Sequence, residues 1–359
     1  MQEYIIILKG TNKLQASFEF ENLWKLYLKE NIKLEQLNNT FYSFKSNLSF
    51  NNNINNFNFF ERLTFTNQIY RILLSSNDLS NFNLDMKTLN MNEINFDNKL
   101  FSANIKKINF YDNSFNYDDY LKPVFNRILN PKVDLKNSDI ELFFFENNFD
   151  NEFKLRFGYK IFENKKSYLK RMPKLRPIKK PYTLKSDMAR AAINYLNIKA
   201  KNSIILDPFA GIGGILLEAY DMDFEVVGND INWNDLNHIK TNFNYFFKEN
   251  NILNDNNKNK ITLSCADSRK QFLKENSIDG IVTDIPYGKS SRLLGEELYE
   301  DFLKSARIYL KSKKRLVIIY ANFTPFKNLA LKYFDEVVEI EEYINKSMTR
   351  YILVLENNK

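Results

Sequence analysis

The chain has 359 residues, 44% of them hydrophobic, so it is too long for one ordinary domain and too apolar for disorder. One cysteine, Cys265, leaves no internal disulfide or Cys-rich zinc site, and one histidine, His238, leaves no His-based cluster, so no metal is expected. A net charge of +7 and a pI near 9.0 favour a polyanionic partner, nucleic acid first.

No apolar run nears the roughly 20 residues of a membrane helix. "MQEYIIILKG" lacks the basic start of a signal peptide, so a reducing cytoplasm is expected and no membrane. The Asn-rich runs at 51–56 and 254–259 read as compositional.

In chain order, residues 4–10 read as a strand and 16–28 as a helix. Residues 62–76, "RLTFTNQIYRILLSS", place apolar side chains at helical spacing and read as a second helix. Residues 101–110 alternate like a strand. Residues 119–129 suggest a helix despite Pro123, and 130–148 a turn followed by a buried strand. Strands interleaved with helices predict small α+β units over 1–150. Residues 160–180 carry nine Lys/Arg against one acid, Glu163, and Pro173 and Pro177 disfavour a helix there. This stretch reads as a basic linker, either a solvated connector or a strip that grips phosphates.

From 181 the pattern changes. A helix over 186–197 precedes strands at 203–207, 224–229, 261–265, 279–283 and 315–320, which alternate with helices at 214–220, 234–247, 298–310 and 325–333. Segments 336–344 and 349–356 read as an antiparallel hairpin at the sheet edge. The prediction is an open, mostly parallel α/β sheet.

In such a sheet ligands sit beyond the C-terminal strand ends. "DPFAGIGG" follows the first strand, and Gly211 and Gly213 let backbone approach a ligand. No Gly-Lys-Ser/Thr follows, so this is not a P-loop. Asp230 ends the second strand, 23 residues after Asp207, where an acid accepts bonds from ribose hydroxyls. Asp267 ends the third strand, placed for an adenine amine, and Asp284 ends the fourth. Singly, each acid would serve as a helix N-cap. Four together imply a neutral or cationic nucleoside ligand, because clustered carboxylates repel a pyrophosphate. A sulfonium carrying adenosine and methionine fits.

"TDIPYG", residues 283–288, then suits methylation of a nucleobase amine. Asp284 would hold the amine N–H, Tyr287 would stack on the base, and Pro286 would fix the turn. No imidazole base is needed, so His238 reads as structural or superficial.

"DPFAGIGGIL", "GNDIN", "CADSR" and "TDIPYGKSS" together resemble the class I (Rossmann-like) S-adenosylmethionine-dependent methyltransferases acting on exocyclic amines. "RPIKKPYTLKSDMARAAINYL" (176–196) resembles the archaeal tRNA guanosine-10 N2-methyltransferases, and "VDLKNSDIELFFF" (133–145) the end of a THUMP RNA-binding domain. "RLTFTNQIY" is similar to the segment near the start of that module.

The resemblance implies a ferredoxin-like domain at 1–55, a THUMP domain at 56–150, the linker at 151–180 and a methyltransferase domain with a mostly parallel seven-stranded sheet at 181–359. It implies S-adenosyl-L-methionine as cofactor and tRNA as partner, gripped by the THUMP domain and the basic linker. Asp207, Pro208, Ala210, Gly211, Gly213, Asp230, Ile231, Asp267, Ser268, Asp284 and Thr183 would hold the cofactor. Asp284, Pro286 and Tyr287 would be catalytic. Ile285 stands where the family commonly has proline, and Ile212 where it has Thr or Ser. The rival readings are methylation of guanosine 6 in tRNA, a DNA amino-methyltransferase, and a catalytically silent RNA-binding protein.

Overall fold

The computed structural model describes residues 1–10, 12–48, 59–91, 94, 99–109, 122, 124–126, 132–149, 152–181, 183–200, 202–247, 260–286 and 295–358. The chain divides into two units, Met1–Lys165 and Lys166–Lys359.

The first unit contains β1 (Gln2–Leu8), α1 (Lys13–Leu28), β2 (Glu35–Gln36), β3 (Phe41–Ser46), α2 (Phe59–Arg62), β4 (Thr66–Ser76), α3 (Leu79–Thr88), β5 (Phe101–Asn109), β6 (Ile140–Phe149) and β7 (Glu152–Glu163). They form one seven-stranded sheet in the order β2-β3-β1-β4-β7-β6-β5. Only β5 and β6 pair in parallel. Its core is aromatic. Trp24 of α1 meets Phe44 of β3 at 4.8 Å edge-on, and Tyr4 of β1 stacks on Phe44 at 5.0 Å. Such pairs contribute about 0.5–1.5 kcal/mol beyond the area they bury. Glu19, buried beneath them, accepts from the amides of Thr64 and Phe65 at 2.9–3.2 Å, which offsets the loss of water.

Three sequence expectations change here. Residues 62–76 are mostly the strand β4, not a helix. This strand lies between β1 and β7 and buries residues on both faces, so its apolar positions mimic helical spacing. Residues 152–163, expected within a linker, are the strand β7. The pairing of β1 with β4 carries one sheet across the expected division at 55/56, a point that itself lies outside the described residues. The helix expected over 119–129 lies mostly outside them too.

The second unit opens with two 3₁₀ turns, Ser167–Arg171 and Pro173–Leu175. Then follow α4 (Ser186–Tyr195), β8 (Ile204–Asp207), α5 (Gly214–Asp221), β9 (Glu225–Asn229), α6 (Trp233–Phe246), β10 (Ile261–Ser264), β11 (Ile278–Asp284), α7 (Gly295–Tyr309), β12 (Leu310–Ala321), α8 (Lys327–Ala330), β13 (Asp335–Asn345) and β14 (Met348–Glu356). The sheet order is β10-β9-β8-β11-β12-β14-β13. Its first five strands are parallel, and β14 and β13 close the edge as the expected antiparallel hairpin. On one face α7 packs Leu298, Tyr299, Phe302 and Leu303 against β11, β12 and β14.

The basic stretch does not behave as a simple connector. Lys165, Lys166, Lys170, Lys174, Lys179 and Lys180 are exposed, but Arg171 and Arg176 are buried. Arg171 forks onto Glu218 at 2.9 and 2.8 Å and reaches Asp221 at 2.6 Å, and Arg190 of α4 joins the same two acids. Arg176 donates to the carbonyl of Arg171 at 3.0 Å. Losing one partner from a buried pair of this kind costs about 3–5 kcal/mol.

Gly158 of β7 gives the sharpest packing test. A Cβ there would lie 2.0 Å from the carbonyl oxygen of Arg71 on β4, and backbone cannot swing aside. Gly158→Ala is expected to destabilise the first unit by about 3 kcal/mol, at the upper end of ordinary overpacking. Urea unfolding followed through Trp24 fluorescence, in a Trp233→Phe background, measures this as a lowered midpoint.

Candidate active site at the strand ends of the second sheet

The glycine turn follows β8. Gly211 and Gly213 adopt φ of +52° and +84°, the left-handed region that favours glycine. A Cβ on Gly211 would meet nothing within 4 Å, whereas one on Gly213 would meet Ile239 at 3.1 Å. Backbone at Gly211 therefore borders open space. Ala210 is buried and its amide donates to the carbonyl of Asn229 at 2.9 Å. From behind, Asn242 of α6 donates to the carbonyl of Ile212 at 3.1 Å and accepts from the amide of Ile178 at 3.0 Å. Segment 176–180 is thus tied to the turn. Thr183 lies on the same segment, its hydroxyl donating to the carbonyl of Lys180 at 2.7 Å.

Asp207, at the end of β8, is 2% exposed, and its Oδ1 accepts from Thr283 Oγ1 at 2.8 Å and the Phe209 amide at 3.2 Å. Burial, with the charges of Asp230 and Asp284 adding, pushes its carboxyl up to about 7 against those two bonds. Asp230 accepts from the Gly211 amide at 2.8 Å and the Asn232 amide at 2.9 Å. Two fixed bonds orient its oxygens while leaving acceptor capacity. Asp267 is engaged by its near neighbour: Arg269 Nε and Nη2 reach its oxygens at 2.6–3.0 Å and hold the carboxyl below its usual range. Ile231, just past Asp230, is 71% exposed.

Asn229 binds these loops together. Fully buried, it accepts from the Ala266 amide at 3.0 Å and donates to the Ala266 carbonyl at 2.9 Å, to Ser268 Oγ at 2.9 Å and to the Pro208 carbonyl at 3.3 Å. Ser268 Oγ donates to the same Pro208 carbonyl at 2.6 Å. Pro208 and Ser268 therefore join the first and third strand ends through Asn229, whose place in the sequence is overshadowed by the more conspicuous Asp230.

Asp284 ends β11. The residue is half-buried, but its Oδ1 is shut off from solvent and has no hydrogen-bond partner among the described residues. Burial pushes this carboxyl up to about 7, with Arg350 opposing and Glu342 adding. Ile285 is buried in the α7 core, and its amide donates to the Ile319 carbonyl at 3.1 Å. A proline has no N–H and could not make that bond, so this departure extends the parallel ladder by one step. The Pro286 carbonyl accepts from Tyr299 of α7 at 3.0 Å. Tyr287 lies outside the described residues.

The structure thus brings Asp230 and Asp284 within electrostatic reach of Asp207, while Asn229 ties Ala266 and Ser268, which flank Asp267, to Pro208 beside Asp207. The supporting Thr283, Asn229, Arg269 and Tyr299 do not stand out in the sequence. They are ordinary residue types, Arg269 acting on a neighbour two residues away and the other three on partners distant along the chain.

The model of the family described as RMKL-like, methyltransferase domain, matches residues 173–351. A tRNA (guanine(10)-N2)-dimethyltransferase of Methanothermobacter thermautotrophicus is 31% identical over 196 residues, 54% of this chain and 55% of that one. The chain thus spans little more than half the length of that relative. A protein of Methanothermococcus thermolithotrophicus named a probable tRNA (guanine(10)-N2)-dimethyltransferase is 33% identical over 176 residues, 46% of this chain and 96% of that one. The crystal structure of TrmN from Thermus thermophilus shares the fold, with a TM-score of 0.53 at 16% identity over 99% of each chain. With nearly the whole of the Methanothermococcus relative covered and the matched span running from the opening of the second unit into β14, the chain belongs to the RMKL-like methyltransferase domain family.

Proposed function

We propose that this chain transfers methyl groups from S-adenosylmethionine to the exocyclic N2 amine of guanosine 10 in tRNA, in the cytoplasm. The names of the relatives support the substrate. The observation that carries the reading is Asp284: a carboxylate at the end of a parallel strand, one oxygen buried and unpartnered among the described residues.

The residues present fit the cofactor. Gly211 offers bare backbone to open space, and Asp230 is held with acceptor capacity for two hydroxyls. Asp207 adds negative charge nearby, which suits a cation and repels a phosphate. Asp267, Pro208, Ala210, Gly213, Ile231, Ser268 and Thr183 complete the proposed cofactor-holding set. When bound, S-adenosylmethionine supplies a methyl carbon made electrophilic by its sulfonium.

The chain's own residues aim the amine. Asp284 accepts an N–H of the guanine amine, which orients the nitrogen lone pair and offsets positive charge as the nitrogen gains a fourth bond. The same carboxylate is the acceptor for the proton then released. Tyr287 is proposed to stack on the base, and Pro286, pinned through its carbonyl by Tyr299, holds the turn. The first unit is proposed to contain the ferredoxin-like and THUMP parts and to grip the tRNA, with the exposed lysines of 165–180 adding phosphate contacts.

Asp284→Asn is expected to lower methyl transfer by about 10²–10³-fold, the cost of losing one preorganised polar group, with tRNA affinity unchanged. Transfer of labelled methyl groups and nucleoside mass spectrometry of the product test the first expectation; filter binding tests the second. Because the working form of Asp284 is ionised and its carboxyl stands near 7, kcat/KM should fall tenfold per pH unit as pH drops below about 7. A flat profile from pH 5 to 8 would remove Asp284 from this role. Replacing Lys166, Lys170, Lys174 and Lys179 together by Ala should weaken tRNA binding and flatten its log–log salt slope by roughly 0.7–0.9 for each phosphate no longer neutralised. Calorimetric affinity for S-adenosylmethionine should stay at the parental value.

A further inference from the structure

The register of the second sheet carries Asp284 into line with the edge hairpin. Asp284 pairs with Ile319 of β12, and Ile319 with Ile352 of β14. Two residues on, Ala321 pairs with Arg350, and Arg350 with Glu342 of β13. Opposed residues share a face, as do residues two apart along a strand. Asp284, Arg350 and Glu342 therefore stand on one face, with Arg350 displaced toward the rim where the parallel strands end. Two strand spacings separate β11 from β14, about 10 Å in all, which an extended arginine side chain largely covers. Ala321 lies between, and its methyl leaves room over β12 for a long side chain.

Arg350 is 7% exposed, and its Nη1 meets Glu342 Oε2 at 3.3 Å. A guanidinium keeps its charge when buried, so its field acts at short range in a poorly screened place. Nearby, Asp284 Oδ1 is shut off from water. The charged groups that act on this carboxyl come from both sides of β11: Asp207 of β8 on one, Arg350 of β14 and Glu342 of β13 on the other.

We propose that Arg350 is a positioning residue for the reaction, its guanidinium holding the Asp284 carboxylate ionised and fixed at the amine site while Glu342 sets how strongly it does so. This rests on the reading of Asp284 as the acceptor of the amine. Arg350 touches neither substrate nor cofactor in this role. It acts from two strands away, and Glu342, on the same hairpin, moderates it with the opposite sign.

The test titrates Asp284 in the free protein by NMR of ¹³Cγ-labelled aspartates, the resonance being identified by its loss in Asp284→Asn. Arg350→Gln should raise the midpoint by about one pH unit and shift the acid limb of kcat/KM by the same amount. Glu342→Gln should lower both, and Arg350→Lys should restore most of the parental value. The KM for S-adenosylmethionine should be unchanged throughout. A midpoint in Arg350→Gln within about 0.2 unit of the parent overturns the proposal. Should Arg350→Gln not fold, Glu342→Gln decides: its side chain is more exposed and the substitution nearly isosteric, and an unmoved midpoint overturns the proposal equally. If the parent protein titrates as described but methylates no tRNA, the assignment of function fails while the charge coupling stands.

Discussion

The constraint on which the second unit depends is the burial of carboxylates at the ends of parallel strands. A parallel sheet is covered on both faces, so a ligand reaches it only at the rim where the strands stop. Acids there lose water and must be repaid with hydrogen bonds. Asp207 receives them from Thr283 and Phe209, Asp230 from Gly211 and Asn232, and Asp267 from Arg269. Asp284 Oδ1 receives none among the described residues. A buried acceptor left open is costly. It lies within electrostatic reach of Asp207, whose own oxygen is satisfied, which leaves Asp284 as an acceptor that a ligand could complete.

Such an arrangement needs a rigid foundation, and much of it lies out of the site. Asn229 fixes the spacing of two loops with one side chain. Ile285 adds a ladder bond just past Asp284, and Tyr299 pins the next carbonyl. These supports act on backbone, so the carboxylate direction follows from strand geometry rather than from a loop free to adjust.

Much of the second unit was legible in the sequence. Its parallel strands are apolar runs, two of which end in aspartate, and helical patterns separate them, so element type and order follow from periodicity alone. The edge hairpin was legible from its turn-length gap. In the first unit, periodicity misled. β4 is apolar on both faces and reads as a helix, and β7 fell in the span assigned to the linker, only its last four residues overlapping the basic stretch. Of the acids at the candidate site, Asp207 and Asp284 end strands as expected, whereas Asp230 follows the last residue of β9 and Asp267 lies three residues past β10. Asn229, Tyr299 and Arg350 were not, since each acts on a partner well removed along the chain through a register that only pairing fixes.

The basic stretch shows why composition alone divides badly. Nine positive side chains in one segment suggest a single role, yet they separate by residue type. Six of the lysines are exposed, Lys180 among them while paired with Asp235, and the seventh, Lys160, is paired with Glu141 and Glu163 on the first sheet. Both arginines are buried. The planar guanidinium presents five donors in a fixed fork, so Arg171 satisfies Glu218 and Asp221 at once, and Arg176 reaches a carbonyl and Ser186. An ammonium is more strongly hydrated and would lose more by the same burial. A run of mixed basic residues is therefore better read as two populations, an outer one of exposed lysines and an inner one of arginines that locks the segment onto α4 and α5. Here the inner pair seats the segment behind the glycine turn, where Arg176 lies close against Gly214. The same segment is thereby committed both to backing the glycine turn and to presenting charge to solvent.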